Sequence, residues 1–195
     1  MSSRRAAIQR TTSETDISIE IDLDGTGSSK VDTGIGFLDH MLTALSKHGR
    51  FDLQLSCKGD LEVDDHHTVE DCALVIGSAI DQALGERRGI ARFGSSFAPM
   101  DESLARVVID LSGRPCPVVS LQLVRDSIGP IACENITHFF VSLAINIRAS
   151  VHVDVLRGTN DHHKSEAAFK AMGMALRAAI SLTGEDDIPS TKGLL

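Results

Sequence analysis

Two stretches of this sequence carry the same residues at a fixed spacing. Asp65-His66-His67 returns as Asp161-His162-His163, an offset of 96. At that offset Glu70 meets Glu166, Gly77 meets Gly173, Ala79 meets Ala175 and Ala83 meets Ala179, with Ile76 on Met172 and Ile80 on Leu176. A second run aligns at an offset of 98, setting His40 on His138, Met41 on Phe139 and Leu45 on Leu143. This is an internal duplication. Two copies are too few for a solenoid. Two similar halves packed about a pseudo-two-fold axis are the natural alternative.

The local patterns repeat with the motifs. Ile17, Ile19, Ile21 and Leu23 alternate with Ser18, Glu20, Asp22 and Asp24, which predicts a strand with one wet face. A helix follows from Phe37 to His48, then a strand through Phe51, Leu53, Leu55 and Cys57. A longer helix is predicted from His66 to Leu84, with an apolar stripe through Val69, Cys72, Ala73, Ile76, Ala79, Ile80 and Ala83 and with Asp64 and Asp65 placed to cap it. In the second half, strands are expected at Leu104–Leu111, Val118–Val124 and Val151–Val155. Helices are expected at Asn135–Ile147 and His162–Leu182, the last capped by Asp161. The resulting division is a flexible leading segment at 1–9, a first half at 10–94 and a second at 95–195, together one catalytic unit.

Composition narrows the function classes. The hydrophobic fraction of 42% supports a core, built without Trp or Tyr. A formal net charge of −8 argues against a nucleic-acid surface. No apolar run reaches the length of a membrane span. Cys57, Cys72, Cys116 and Cys133 form no C-x-x-C pair and read as reduced thiols of a cytoplasmic protein. The arginines near Met1 have no apolar stretch behind them, so no secretory signal is expected, while a removed organelle presequence is compatible with the chain.

Six of the eight histidines occupy matched positions: His40, His66, His67, His138, His162 and His163. Each half adds one Glu in the pattern H-H-x-x-E, Glu70 and Glu166. On a helix, His66 and Glu70 share a face, as do His162 and Glu166. The adjacent histidine is turned away by about 100°. Neighbouring histidines therefore suit two ions better than one. The residues divide into two sets of three His and one Glu, leaving two open positions on an octahedral ion. Nitrogen and oxygen donors without thiolate point to manganese, with iron or cobalt as the other metals such a set accepts. His48 and His152 have no matched partner and read as ordinary residues. A two-metal hydrolase would use bridging carboxylates, and helix-bundle metal stores carry E-x-x-H, the opposite order.

Arg92, Arg114 and Lys192 stand beside glycines or prolines in expected loops, and Ser190-Thr191-Lys192-Gly193 combines hydroxyls, an ammonium and backbone N–H groups. Such a set suits a phosphate monoester. On their own these residues read as solvated surface, and so do Glu14, Asp101 and Glu102.

The motifs taken together resemble the imidazoleglycerol-phosphate dehydratase family from Arg10 to Leu195. They are Arg10-x-Thr12-x-Glu14-Thr15, the run Gly34 to Leu42, Asp65 to Asp71, Pro99-Met100-Asp101-Glu102, Asp110 to Pro115, His138-Phe139-Phe140, Asn160 to Glu166, and Ser190 to Gly193. The resemblance implies an α+β fold with two halves like the second domain of ribosomal protein S5. It implies a twenty-four-subunit octahedral shell whose active sites lie at subunit interfaces and hold two manganese ions. It makes the eight counted residues the metal ligands, and Glu14, Arg92, Arg114, Ser190 and Lys192 the substrate contacts. Some members carry a phosphatase domain, for which the nine residues before Arg10 are expected to leave no room.

The implied reaction converts D-erythro-imidazole glycerol phosphate to imidazole acetol phosphate. The proton to be lost is not next to a carbonyl, so direct removal would be slow. The expected route passes through a metal-bound imidazolate and a diazafulvene. Arg92, Arg114, Ser190 and Lys192 would hold the phosphate. Glu14, or water on a metal held by Glu70 and Glu166, would move protons.

Overall fold

The computed structural model describes residues 4–195. The first half runs β1 (Arg5–Thr11), β2 (Thr15–Asp22), β3 (Ser29–Asp32), α1 (Gly36–Gly49), β4 (Asp52–Gly59) and α2 (His66–Leu84). The second runs β5 (Phe93–Met100), β6 (Ser103–Asp110), β7 (Cys116–Ser120), the short strands β8 (Ser127–Ile128) and β9 (Ile131–Ala132), α3 (Cys133–Ile147), β10 (Ser150–Arg157) and α4 (Asp161–Ala179). The sheets are ordered β1-β2-β4-β3 and β5-β6-β10-β7. In each, three strands are antiparallel and the last joins in parallel. The fold is α+β with one topology used twice, and β8–β9 is an insertion in the second copy.

Alternation places Ile17, Ile19 and Ile21 opposite Cys57, Leu55 and Leu53 on the inner face of the first sheet. The buried stripe of α2 lies against that face. Val107, Ile109, Val151 and Val153 do the same beneath α4. The helices also pack across the halves, α1 along α4 and α3 along α2. Phe139 of α3 meets Phe169 of α4 with ring centroids 5.0 Å apart, midway along both helices. The starts of α1 and α4 lie together, as do those of α2 and α3. Their close approach needs glycine: a Cβ on Gly77 would come within 2.6 Å of the Asn146 Cβ, and one on Gly173 within 2.5 Å of the Leu45 carbonyl oxygen. These are the matched glycines of the duplication.

Several expectations are corrected. Residues 5–9 of the leading segment pair with β2 as part of β1. Residues 1–3 of that segment lie outside the described residues. A boundary between 94 and 95 would cut β5, so the halves meet instead in the link 85–92. The last helix ends at Ala179, not Leu182, because Leu182 turns away to bridge Ile90. Asp161 does not cap α4. Asn160 does, accepting the His162 N–H at 2.9 Å, while Asp161 sinks into the core and binds Lys164 at 2.8 Å. Asp64 accepts the His66 N–H at 2.8 Å, but the Asp65 carboxylate turns to the Ala132 N–H at 2.9 Å. The segment expected as a strand to Val124 ends at Ser120, where the Gln122 backbone turns to φ 53°.

Candidate metal centre

The matched residues assemble across the halves. His40 of α1 faces His162 and Glu166 of α4, and His138 of α3 faces His66 and Glu70 of α2. The Nε2 atoms of His40 and His162 lie 3.4 and 3.3 Å from Glu166 Oε2. Glu70 takes His138 Nε2 at 3.0 Å and His66 Nε2 at 3.7 Å. In each cluster the three donor atoms lie within 4.8 Å of one another. The duplication is thus used twice for one purpose, each cluster joining the short helix of one half to the long helix of the other.

Local contacts aim these rings. The His66 Nδ1–H donates to Asn135 Oδ1 at 2.9 Å, which leaves Nε2 for the cluster. Phe37 meets the His162 ring edge-on at 5.0 Å. The carboxylates differ. Glu166 is buried, and burial acts to raise its carboxyl. The Lys170 ammonium at 2.7 Å, helped by His40, outweighs this and holds it below the usual carboxylate range. Glu70 is one-third exposed and has no matching lysine, since Leu74 stands at the position equivalent to Lys170. Lys170 is a site residue that sequence reasoning missed. Its signal was the i,i+4 spacing from Glu166 on one helix face.

His67 and His163 stand apart from the two clusters. The His67 Nδ1–H points at Asp60 Oδ2, 3.1 Å away, and its Nε2 lies 3.6 Å from Glu14 Oε1. The His163 Nδ1–H donates to Glu102 Oε2 at 2.7 Å. Asp60 raises the proton affinity of His67, as Glu102 does for His163. Glu102 is held well below the usual carboxylate range by His163 first, then by the Asn160 and Thr159 N–H groups. Glu14 is placed by its own segment: Thr12 Oγ1 accepts the Glu14 N–H at 3.1 Å, and both Arg10 and Thr15 bind Asp71 on α2.

The phosphate-suited residues gather elsewhere. Arg92 donates to Asp110 at 2.7 Å and to the Pro189 carbonyl at 2.7 Å, which ties the segment carrying Ser190 and Lys192 to the start of β5. Arg114 follows Gly113, whose Cα lies against the terminal Leu195. The Arg92 N–H bonds the Ala179 carbonyl, at the far end of the helix that carries Glu166. Ala179 lies thirteen residue steps beyond Glu166 on this helix, about 20 Å at 1.5 Å per residue. The His162–Glu166 end of α4 thus carries imidazoles, and Arg92 stands at its other end.

The comparisons with known proteins agree with this architecture. A family model described as imidazoleglycerol-phosphate dehydratase matches residues 33–176. A relative of that name from Phytophthora nicotianae is 59% identical over 192 residues, and the chain spans 42% of its length. One from Chlorobium luteolum is 56% identical over 192 residues, 98% of this chain and 96% of that protein. A crystal structure of the Staphylococcus aureus dehydratase matches with a TM-score of 0.83 at 38% identity, over 92% of this chain and 99% of that one. The Pyrococcus furiosus structure matches with 0.82 at 37% identity, over 96% and 100%.

Proposed function

The chain belongs to the imidazoleglycerol-phosphate dehydratase family, and we propose that it performs this reaction at metal centres completed between copies of itself. The activity is that of a hydro-lyase of histidine biosynthesis, dehydrating D-erythro-imidazole glycerol phosphate to imidazole acetol phosphate. The observation that carries the reading is the pair of His₂Glu clusters.

The donor set fits a hard-to-borderline divalent ion. All donors are imidazole nitrogen or carboxylate oxygen, and no cysteine joins either cluster. His40, His162 and Glu166 would hold one manganese ion, and His66, Glu70 and His138 the other. His67 or His163 from another copy would supply the third imidazole of each. The bound metal would supply Lewis acidity toward the substrate's ring nitrogen and hydroxyl.

Two features support sharing between copies. The rings of His40, His66 and His162 are 51, 42 and 41% exposed, yet the chemistry needs a site closed to water. The substrate, an imidazole joined to a phosphate by three carbons, spans well under half of the roughly 20 Å of helix between Glu166 and Ala179, whose carbonyl bonds the Arg92 N–H. Arg92, Arg114, Ser190 and Lys192 would therefore clamp the phosphate of a substrate whose ring lies at another copy's clusters. The twenty-four-subunit shell implied by the sequence motifs offers such an arrangement. Glu14 lies beside the Nε2 edge of His67, so it travels with that histidine into the shared site and is the chain's best-placed proton acceptor. Glu70 and Glu166 serve as ligands in this reading. Among the described residues no helix is long and apolar enough to cross a membrane, and the free cysteines fit a cytoplasmic setting.

The test is turnover of imidazole glycerol phosphate by chelator-stripped protein, with and without added manganese. Metal-dependent formation of imidazole acetol phosphate is expected. A folded, manganese-loaded protein that forms none would overturn the reading.

A further inference from the structure

The two histidines outside the clusters share a feature that neither the duplication nor the family motifs explain. Each has its Nδ1 on a carboxylate, yet the carboxylates come from unrelated positions. Strand pairing repeats at an offset of 88, since Arg5 opposes Asp22 as Phe93 opposes Asp110. At that offset Glu102 is the counterpart of Glu14, not of Asp60. In the second half this glutamate holds His163 Nδ1 at 2.7 Å. In the first half Asp60 takes the equivalent nitrogen of His67 at 3.1 Å, and Glu14 faces the opposite ring edge. Two different residues have converged on one contact.

The contact is built rather than incidental. Glu102 Oε1 accepts the Asn160 N–H at 2.8 Å, the Thr159 N–H at 3.1 Å and the Ser103 hydroxyl at 3.1 Å, which leaves Oε2 aimed at His163. An ionised carboxylate only accepts, so the ring proton stays on Nδ1 and the lone pair is on Nε2. The ring planes of His66 and His67 stand at 79°, and those of His162 and His163 at 83°. Neither outward ring joins its own chain's cluster.

We propose that Glu102 and Asp60 are positioning residues that fix His163 and His67 in the Nδ1–H form, presenting Nε2 to an ion held by another copy. This rests on the ligand assignment above. Without the carboxylate, each half-buried ring would divide its proton between two nitrogens, and the shared ion would lose a ready donor.

Glu102→Gln separates this role from a purely structural one. The amide oxygen still accepts the Thr159 and Asn160 N–H groups, and those donors prevent the amide from flipping. Its NH₂ then faces His163 Nδ1, which must accept, and the ring proton moves to Nε2. The measurement is a manganese titration of chelator-stripped protein, read by the electron paramagnetic resonance signal of free Mn(II). Glu102→Gln is expected to weaken one class of bound manganese about 10–100-fold, as His163→Ala does, with the thermal midpoint of the metal-free protein unchanged and with partial recovery in Glu102→Asp. Asp60→Asn, on a different loop, should do the same through His67. Manganese bound as tightly by Glu102→Gln and Asp60→Asn as by the unaltered chain, while His163→Ala binds weakly, would overturn the positioning role and leave the ligand assignment standing. Undiminished binding by His163→Ala would overturn the assignment and the proposal together.

Discussion

At the scale of single residues, the two clusters make separable demands. His162→Ala and His66→Ala should each abolish turnover together with one class of bound manganese, measured by metal content and activity on the same sample. Full activity in either variant would contradict the ligand assignment. Lys192→Ala should act differently, raising the KM about ten-fold with less effect on kcat, because it removes one charged contact to a phosphate that does not react. An unchanged KM would take Lys192 out of the substrate site. The six cluster residues, and His67 and His163 beside them, were legible in the sequence because each has a partner in register in the other half. Lys170, Asp60 and Glu102 were not, for the converse reason. Leu74 replaces Lys170 in the other half, and Asp60 and Glu102 occupy positions that the repeat does not relate. Search by symmetry finds what duplication preserved and passes over what divergence added.

At the scale of elements, the helix crossings control the clusters. Gly173 lets α1 lie against α4, and Gly77 lets α3 lie against α2. Gly173→Ala should push α1 outward, destabilise the protein by about 1–3 kcal/mol and weaken manganese at the His40 cluster while sparing the His138 cluster. Gly77→Ala should show the reverse, with denaturant unfolding and metal titration reading the two effects. Equal weakening of both classes by either variant would contradict this crossing geometry. The long helices and inner strands were legible because their apolar periodicity is strong. Strand β5 was not: α4 presses on it so closely that Gly94 leaves no room for a Cβ, which would lie 2.0 Å from the Ala175 carbonyl oxygen, and the run Phe93–Met100 lacks a clean apolar alternation. The cap of α4 was misplaced by one residue because an aspartate beside an asparagine suits either role. Here the buried Lys164 claims the aspartate, with side-chain exposures of 5% and 0%.

At the scale of the whole molecule, that buried pair and the other held carboxylates set the acid limit of stability. Burial acts to raise the Asp161 carboxyl, but Lys164 and the Arg125 and Val124 N–H groups outweigh it and leave it lowered. The Ser28 and Thr26 N–H groups lower Asp52. A carboxyl whose folded proton affinity is depressed contributes stability above its unfolded value, near pH 4, and loses it as the pH falls through the lower folded value. The thermal midpoint should therefore fall as the pH drops below about 4. Asp161→Asn should lower stability at neutral pH by about 3 kcal/mol, since Lys164 is left buried without its counter-charge, and should flatten the acid limb. A midpoint that keeps rising below about pH 4 would contradict these assignments.

The sharing of sites between copies is tested most directly by mixing two defective chains. One carries His162→Ala and lacks a metal ligand; the other carries Arg114→Ala with Lys192→Ala and lacks phosphate contacts. Each is assayed alone at low substrate, then the two are dissociated, mixed and reassembled with manganese. If clusters and phosphate clamp come from different copies, some mixed sites combine intact parts from both, and activity should rise well above the sum of the separate proteins. Activity that stays at that sum in verified mixed assemblies would place both parts of each site in one chain and contradict the shared-site architecture.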